Sequence, residues 1–150
     1  MYQRLEFACA CLLLAAIVIL IGVAAVTRFM GSPIIWSIEI GQLLFVWLVM
    51  LAADLAMQQG RHFGLSLLAD ALPPPAQRIV EIVNYVIVMA LLVFLLVYSV
   101  RNTILMHPRL IGATQMNASL IHAAMPIGLL LMIRTLAVQL YGRIRSAEAG

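Results

Sequence analysis

Lysine is absent from the chain and charge is scarce: nine arginines and six acidic residues make up 10% of 150 positions. A soluble domain normally carries about a quarter of its residues as charges, so a water-facing surface of ordinary composition is excluded. The arginines are spread through the chain rather than gathered in one basic block, which argues against a nucleic-acid face. Cysteine is limited to Cys9 and Cys11. Two residues apart on a helix, they point about 200° away from each other and can neither bridge nor share a metal. They read as small packing residues. There is no paired-cysteine motif, no glycine-rich phosphate cradle and no nucleophile with a base beside it, so the sequence gives no sign of an enzyme or a cofactor. What it has in abundance is apolar residues: 65% of the chain, with a mean hydropathy of +1.09. An integral membrane protein follows.

At about 20 residues per crossing, the chain has room for four spans and little else. The expected fold is an all-α membrane protein, one four-helix domain over residues 1–150, with spans near 7–26, 36–57, 80–100 and 119–141. The first run follows a basic start but is longer than a secretory core and lacks a small-x-small cleavage site, so it reads as an uncleaved span. Thr27 to Pro33 is a short connection, which makes the first two spans antiparallel neighbours. Between the second and third spans lies GLSLLADALPPP, in which Leu65, Leu68 and Leu72 share a helical face. A short amphipathic helix in the membrane interface is expected there, stopped by Pro73 to Pro75. Asn117 or Ser119 is a suitable N-cap for the fourth span. His62 and His107 fall in connections on opposite sides and only His122 is inside a span, so no two can face each other around a haem.

The chain is organised around Ile34 to Gln59, which carries Glu39 and Asp54 in an otherwise apolar segment. Fifteen residues of separation are a rise of roughly 22 Å and a rotation of about 60°, so the two acids share a side of the helix near opposite membrane faces. Carboxylates at that depth turn toward protein, water or a cation. Arg134, about two turns before the end of the fourth span, lies at the depth of Asp54, and an Asp54–Arg134 ion pair is expected. Arg28 and Arg101 lie at the depth of Glu39. With four spans, Arg4, Arg61, Arg78, Arg143 and Arg145 share one side against Arg28, Arg101 and Arg109 on the other, which places both termini in the cytoplasm.

The residues leave two readings. One is an accessory subunit whose buried charges hold it together and dock it on a larger transport protein. The other is a self-sufficient small exporter with Glu39 as ion carrier. A proton carrier calls for an acid near the midplane and for repeated halves, and neither is visible.

The order TRFMGSPIIWSIEIGQLLFVWLVMLAADLAMQQGRHFGLSLLADALPPP, a third span, then NASLIHAAMPIGLLLM resembles the small membrane subunit of tripartite ATP-independent periplasmic (TRAP) transporters over nearly the whole chain. The resemblance rests on Trp36 and Glu39 opening the second span, Gly60, Arg61 and His62 closing it, and Pro126 with Gly128 in the fourth. Where members of that family often carry two adjacent acids, this chain has Glu39 followed by Ile40. The resemblance implies a subunit of the bacterial inner membrane with two partners, a large sodium-driven membrane subunit and a periplasmic solute-binding protein that captures an organic acid. It also implies that this chain binds no substrate itself. The expected contacts with the partner or the interface are Trp36, Glu39, Arg61, His62, Leu65, Leu68 and Leu72.

Overall fold

In lipid a backbone amide has no water to bond, so a long apolar run must satisfy itself as a helix. The computed structural model describes residues 2–59 and 74–148, and these are helical almost throughout. Helix α1 is Tyr2–Phe29, α2 Ser37–Gln58, α3 Pro74–Leu105, α4 Ser119–His122 and α5 Ala124–Glu148. Four stretches are long and apolar enough to cross a membrane: Gln3–Phe29, Ser37–Gln58, Ile82–Leu105 and Ser119–Gly142. The protein is thus a multi-pass membrane protein. The interfacial helix expected over Leu65 to Leu72 lies outside the described residues, as do Arg61 and His62.

Local chemistry sets the helix ends. Gly31 takes φ +82°, and around it the Gly31 amide donates to the Arg28 carbonyl while the Ser32 amide donates to Thr27. This left-handed glycine stop uses up the last carbonyls of α1. Pro74 and Pro75 open α3, where the missing amide hydrogens cost nothing, so the prolines that end one pattern start the next helix. At its other end α3 runs past the expected boundary near residue 100 to Leu105. Arg101 therefore sits inside the helix, at a depth from which its long stem can reach the interface.

The fourth span departs further from expectation. The residue capping α4 is Ala118, with no side-chain cap; the Ser119 hydroxyl is instead 3.1 Å from His107 Nδ1. A break at Ala123 then separates α4 from α5. Its cause is Pro126, which has no amide hydrogen to give to the carbonyl four residues back, that of His122. The released carbonyl does not go unused: it lies 3.1 Å from Thr103 Oγ1 of α3, whose one hydrogen is shared between it and the Ser99 carbonyl at 2.8 Å. Asn102 Nδ2 also reaches His122 Nδ1 at 3.2 Å. The kink is thereby tied to the neighbouring span.

The spans stand in a row rather than in a closed bundle. Helix α1 packs on α2, α2 on α5 and α5 on α3; among the described residues the backbone of α1 approaches neither α3 nor α5 within 8 Å between Cα atoms, nor does that of α2 approach α3. Met57, Tyr85, Leu92, Leu129 and Leu136 form the core between α2, α3 and α5. Glycines permit the close crossings. Gly41 of α2 lies against Ile21 of α1, and Gly128 of α5 against Met50 of α2, as small residues do between helices in lipid.

Candidate functional site

Glu39 is in the first turn of α2, and the segment that meets it is the connection from α3 to α4. That connection folds back on itself: the Ala118 amide donates to Arg109 at 2.7 Å and the Ile111 amide to Met116 at 2.8 Å, with Gln115 in the left-handed region at φ 54°. The turn presents successive donors to one carboxylate. Glu39 Oε1 accepts from the Ala113 amide at 2.6 Å, while Oε2 accepts from the Thr114 amide at 2.8 Å and from Thr114 Oγ1 at 2.6 Å. Charge-assisted bonds of this kind are the strong ones. Gly112 makes the approach possible, since a Cβ there would lie 2.7 Å from Glu39 Oε1. Neither Arg28 nor Arg101 is among these partners. Two backbone amides and the Thr114 hydroxyl hold Glu39, for which Arg28 and Arg101 were possible partners by depth.

A second polar cluster lies fifteen residues along α2. Asp54 is 1% exposed; its Oδ1 accepts from Thr135 Oγ1 of α5 at 2.8 Å and its Oδ2 from Gln58 Nε2 at 2.7 Å. The same Gln58 nitrogen donates to Glu6 Oε2 of α1 at 2.5 Å. Gln139 of α5 donates to the Met57 carbonyl at 2.8 Å. Five side chains thus link α1, α2 and α5 at this end. Arg134 precedes Thr135 in α5 and lines a cavity of about 230 Å³ together with Gln58 and Thr135.

Trp36 is half exposed immediately before α2. Sequence reasoning missed Glu6, which it counted with the basic start outside the first span. It also missed Gln58 and Thr135 as bridges and the Gly112 to Thr114 turn. For Glu6 a signal existed: it lies only one residue outside the expected span, so a helix starting one turn earlier would bury it.

The clusters bind helices to each other and to their own loops. They define a membrane-embedded component whose polar chemistry is spent on assembly of its spans. The comparisons give the family. Residues 7–146 match the family described as tripartite ATP-independent periplasmic transporters, DctQ component, and the chain belongs to it. A Haemophilus influenzae protein described as a TRAP transporter small permease protein is 34% identical over 83 residues. That match covers 55% of this chain and 51% of the relative, so it spans about half the relative's length. The family is a transporter component and not a class of enzymes.

Proposed function

We propose that this chain is the small permease subunit that braces the large membrane subunit of a TRAP-type secondary transporter, one that imports an organic acid with a sodium gradient. Its partners on this reading are that large subunit and a periplasmic solute-binding protein; substrate and sodium coupling belong to the partners. The subunit lies in a bacterial inner membrane with both termini in the cytoplasm, in keeping with five arginines on that side against three.

The observation that carries the reading is the row of spans. The outer surface of the row is apolar: Leu12, Ile19, Val86, Phe94 and Val138 are all exposed. A groove of about 550 Å³ between α3 and α5 is lined by apolar side chains and Tyr85. It offers a carboxylate substrate no cation to bind. Glu39, the carrier of the exporter alternative, already takes three hydrogen bonds from its own chain, which suits a structural acid. An Asp54–Arg134 ion pair is part of the same reading: Arg134 lines a cavity with Gln58 and Thr135, the two residues that hydrogen-bond Asp54.

The test is co-purification from native membranes in mild detergent with Glu39→Gln as the variant. A large polytopic partner at near-equal amount, reduced by Glu39→Gln, is expected. Recovery of the chain alone, with transport activity abolished by Glu39→Gln at unchanged protein level, would overturn the proposal in favour of the exporter.

A further inference from the structure

The groove of about 550 Å³ between α3 and α5 is of ligand size, and it opens sideways, since Val86, Val93 and Phe94 of its lining are exposed. A furrow in a lipid-facing surface is filled by whatever follows its shape, because a gap forfeits the dispersion contacts of the atoms around it. Its length limits the occupant. Along α3 the lining runs from Tyr85 to Phe94, nine residues of helix and so roughly 14 Å. The crossing stretch of this helix is Ile82–Leu105, which puts Tyr85 one turn inside one membrane face and Phe94 at mid-span. On α5 the lining residue is Leu140, two residues from the end of the crossing stretch Ser119–Gly142, so the groove begins at that same face. Its depth is therefore that of a single leaflet, about half of a 30 Å hydrocarbon core. At its inner end Phe94 pairs with Tyr98, with ring centroids 4.7 Å apart. A crossing helix from a partner would need a groove about twice as long; an acyl chain needs no more than this one.

Just beyond that face the chain is basic. Arg78 lies about two turns before Tyr85 in α3, and Arg143 and Arg145 follow Leu140 in α5, against one acid in these turns, Glu81. Net positive charge beside an apolar slot is complementary to a phosphate joined to an acyl chain. We propose that the groove between α3 and α5 seats one phospholipid of that leaflet, with an acyl chain between Tyr85 and Phe94 and its phosphate at the arginine-bearing helix ends. This site goes beyond the bracing role and depends neither on it nor on which side of the membrane the groove faces.

The experiment adds phosphatidylglycerol carrying a photoactivatable diazirine on one acyl chain to the purified full-length chain in mild detergent, and maps the labelled residues by mass spectrometry. Labelling of Met89, Val93 and Leu140 several-fold above that of Leu12 and Ile19 is expected, although these two residues of α1 are well exposed. Ala90→Trp, which fills the groove from α3, should remove the excess. Unlabelled phosphatidylglycerol should compete it away, whereas a diacylglycerol with the same chains should not. Labelling that follows exposure, strongest on α1, would overturn the proposal, as would equal competition by the diacylglycerol. Loss of the groove label in the native complex carrying a large membrane partner would also overturn it, in favour of a partner's helix as occupant. Should Ala90→Trp fail to fold, the wild-type labelling pattern and the competition decide.

Discussion

Replacing Gly128 with alanine tests a close helix crossing directly. An added Cβ would lie 2.5 Å from Met50 Cε, 2.6 Å from its Cβ and 3.1 Å from its Cγ. The Cε can swing away, but the Cβ is fixed to the α2 backbone. Carbon atoms rest at about 3.5–4.0 Å, so α2 and α5 must separate locally by roughly 1 Å. Overpacking of this kind costs about 1–3 kcal/mol. Against it stands the helix-propensity gain of glycine to alanine, up to about 1 kcal/mol. The expected net effect is a loss of roughly 1–2 kcal/mol. Gly22 of α1 is the control, because a Cβ there meets nothing within 4 Å, and Gly22→Ala should be neutral or stabilising. The assay is unfolding of the purified chain by SDS titration in mixed micelles, read by circular dichroism. A second change identifies the atom responsible: Met50→Gly removes the obstructing Cβ and should reduce the penalty of Gly128→Ala, whereas Met50→Ala keeps it and should not. If Gly128→Ala is as stable as Gly22→Ala, or if Met50→Ala rescues as well as Met50→Gly, the close-approach argument is wrong.

Two further predictions concern the polar ties. Gly112→Ala would place a Cβ 2.7 Å from Glu39 Oε1 and should displace the carboxylate; faster hydrogen exchange at the Ala113 and Thr114 amides is expected, and unchanged exchange there would show that the turn holds without Glu39. Thr103→Val removes the hydroxyl shared between the His122 and Ser99 carbonyls and should cost up to about 1 kcal/mol in the same SDS titration; in a Pro126→Ala background, where residue 126 regains an amide hydrogen for the His122 carbonyl, the cost should shrink, and an equal cost in both backgrounds would remove proline as the cause.

The spans were legible in the sequence because twenty apolar residues in lipid have one satisfactory structure. The first two spans were legible as neighbours because Thr27 to Pro33 is too short for anything else. The order of the remaining spans was not. Long connections leave the third and fourth spans free to pack on either side, and only crossings such as Gly128 on Met50 decide it. Glu39 and Asp54 stood out because carboxylates in apolar surroundings demand partners. Those partners were hard to name because they are ordinary groups. Backbone amides at Ala113 and Thr114 carry no side-chain signature, and Gln58 and Thr135 are neutral. For Glu39 an arginine at the same depth was a possible partner from charge alone, yet three well-placed neutral donors hold that carboxylate. Ser119 misled for a related reason. Its hydroxyl is a good cap in isolation, but His107 competes for it.

The placement of the ties explains how a row of helices can stay ordered without enclosing a core. Where only neighbours touch, each contact must fix both spacing and register, and nothing on the far side corrects an error. Here α2 is fixed at three heights. Near its start Glu39 is clasped by the turn before α4, further along Met50 meets Gly128, and near its end Asp54 and Gln58 reach Thr135 and Glu6. A slide of one helical turn, about 5.4 Å, would break the first and last at once. All three lie within the row, while large apolar side chains such as Leu12, Phe94 and Val138 stay exposed on its outer surface. Order along the row and an uncommitted surface across it are thus produced by the same economy of polar residues that the composition shows.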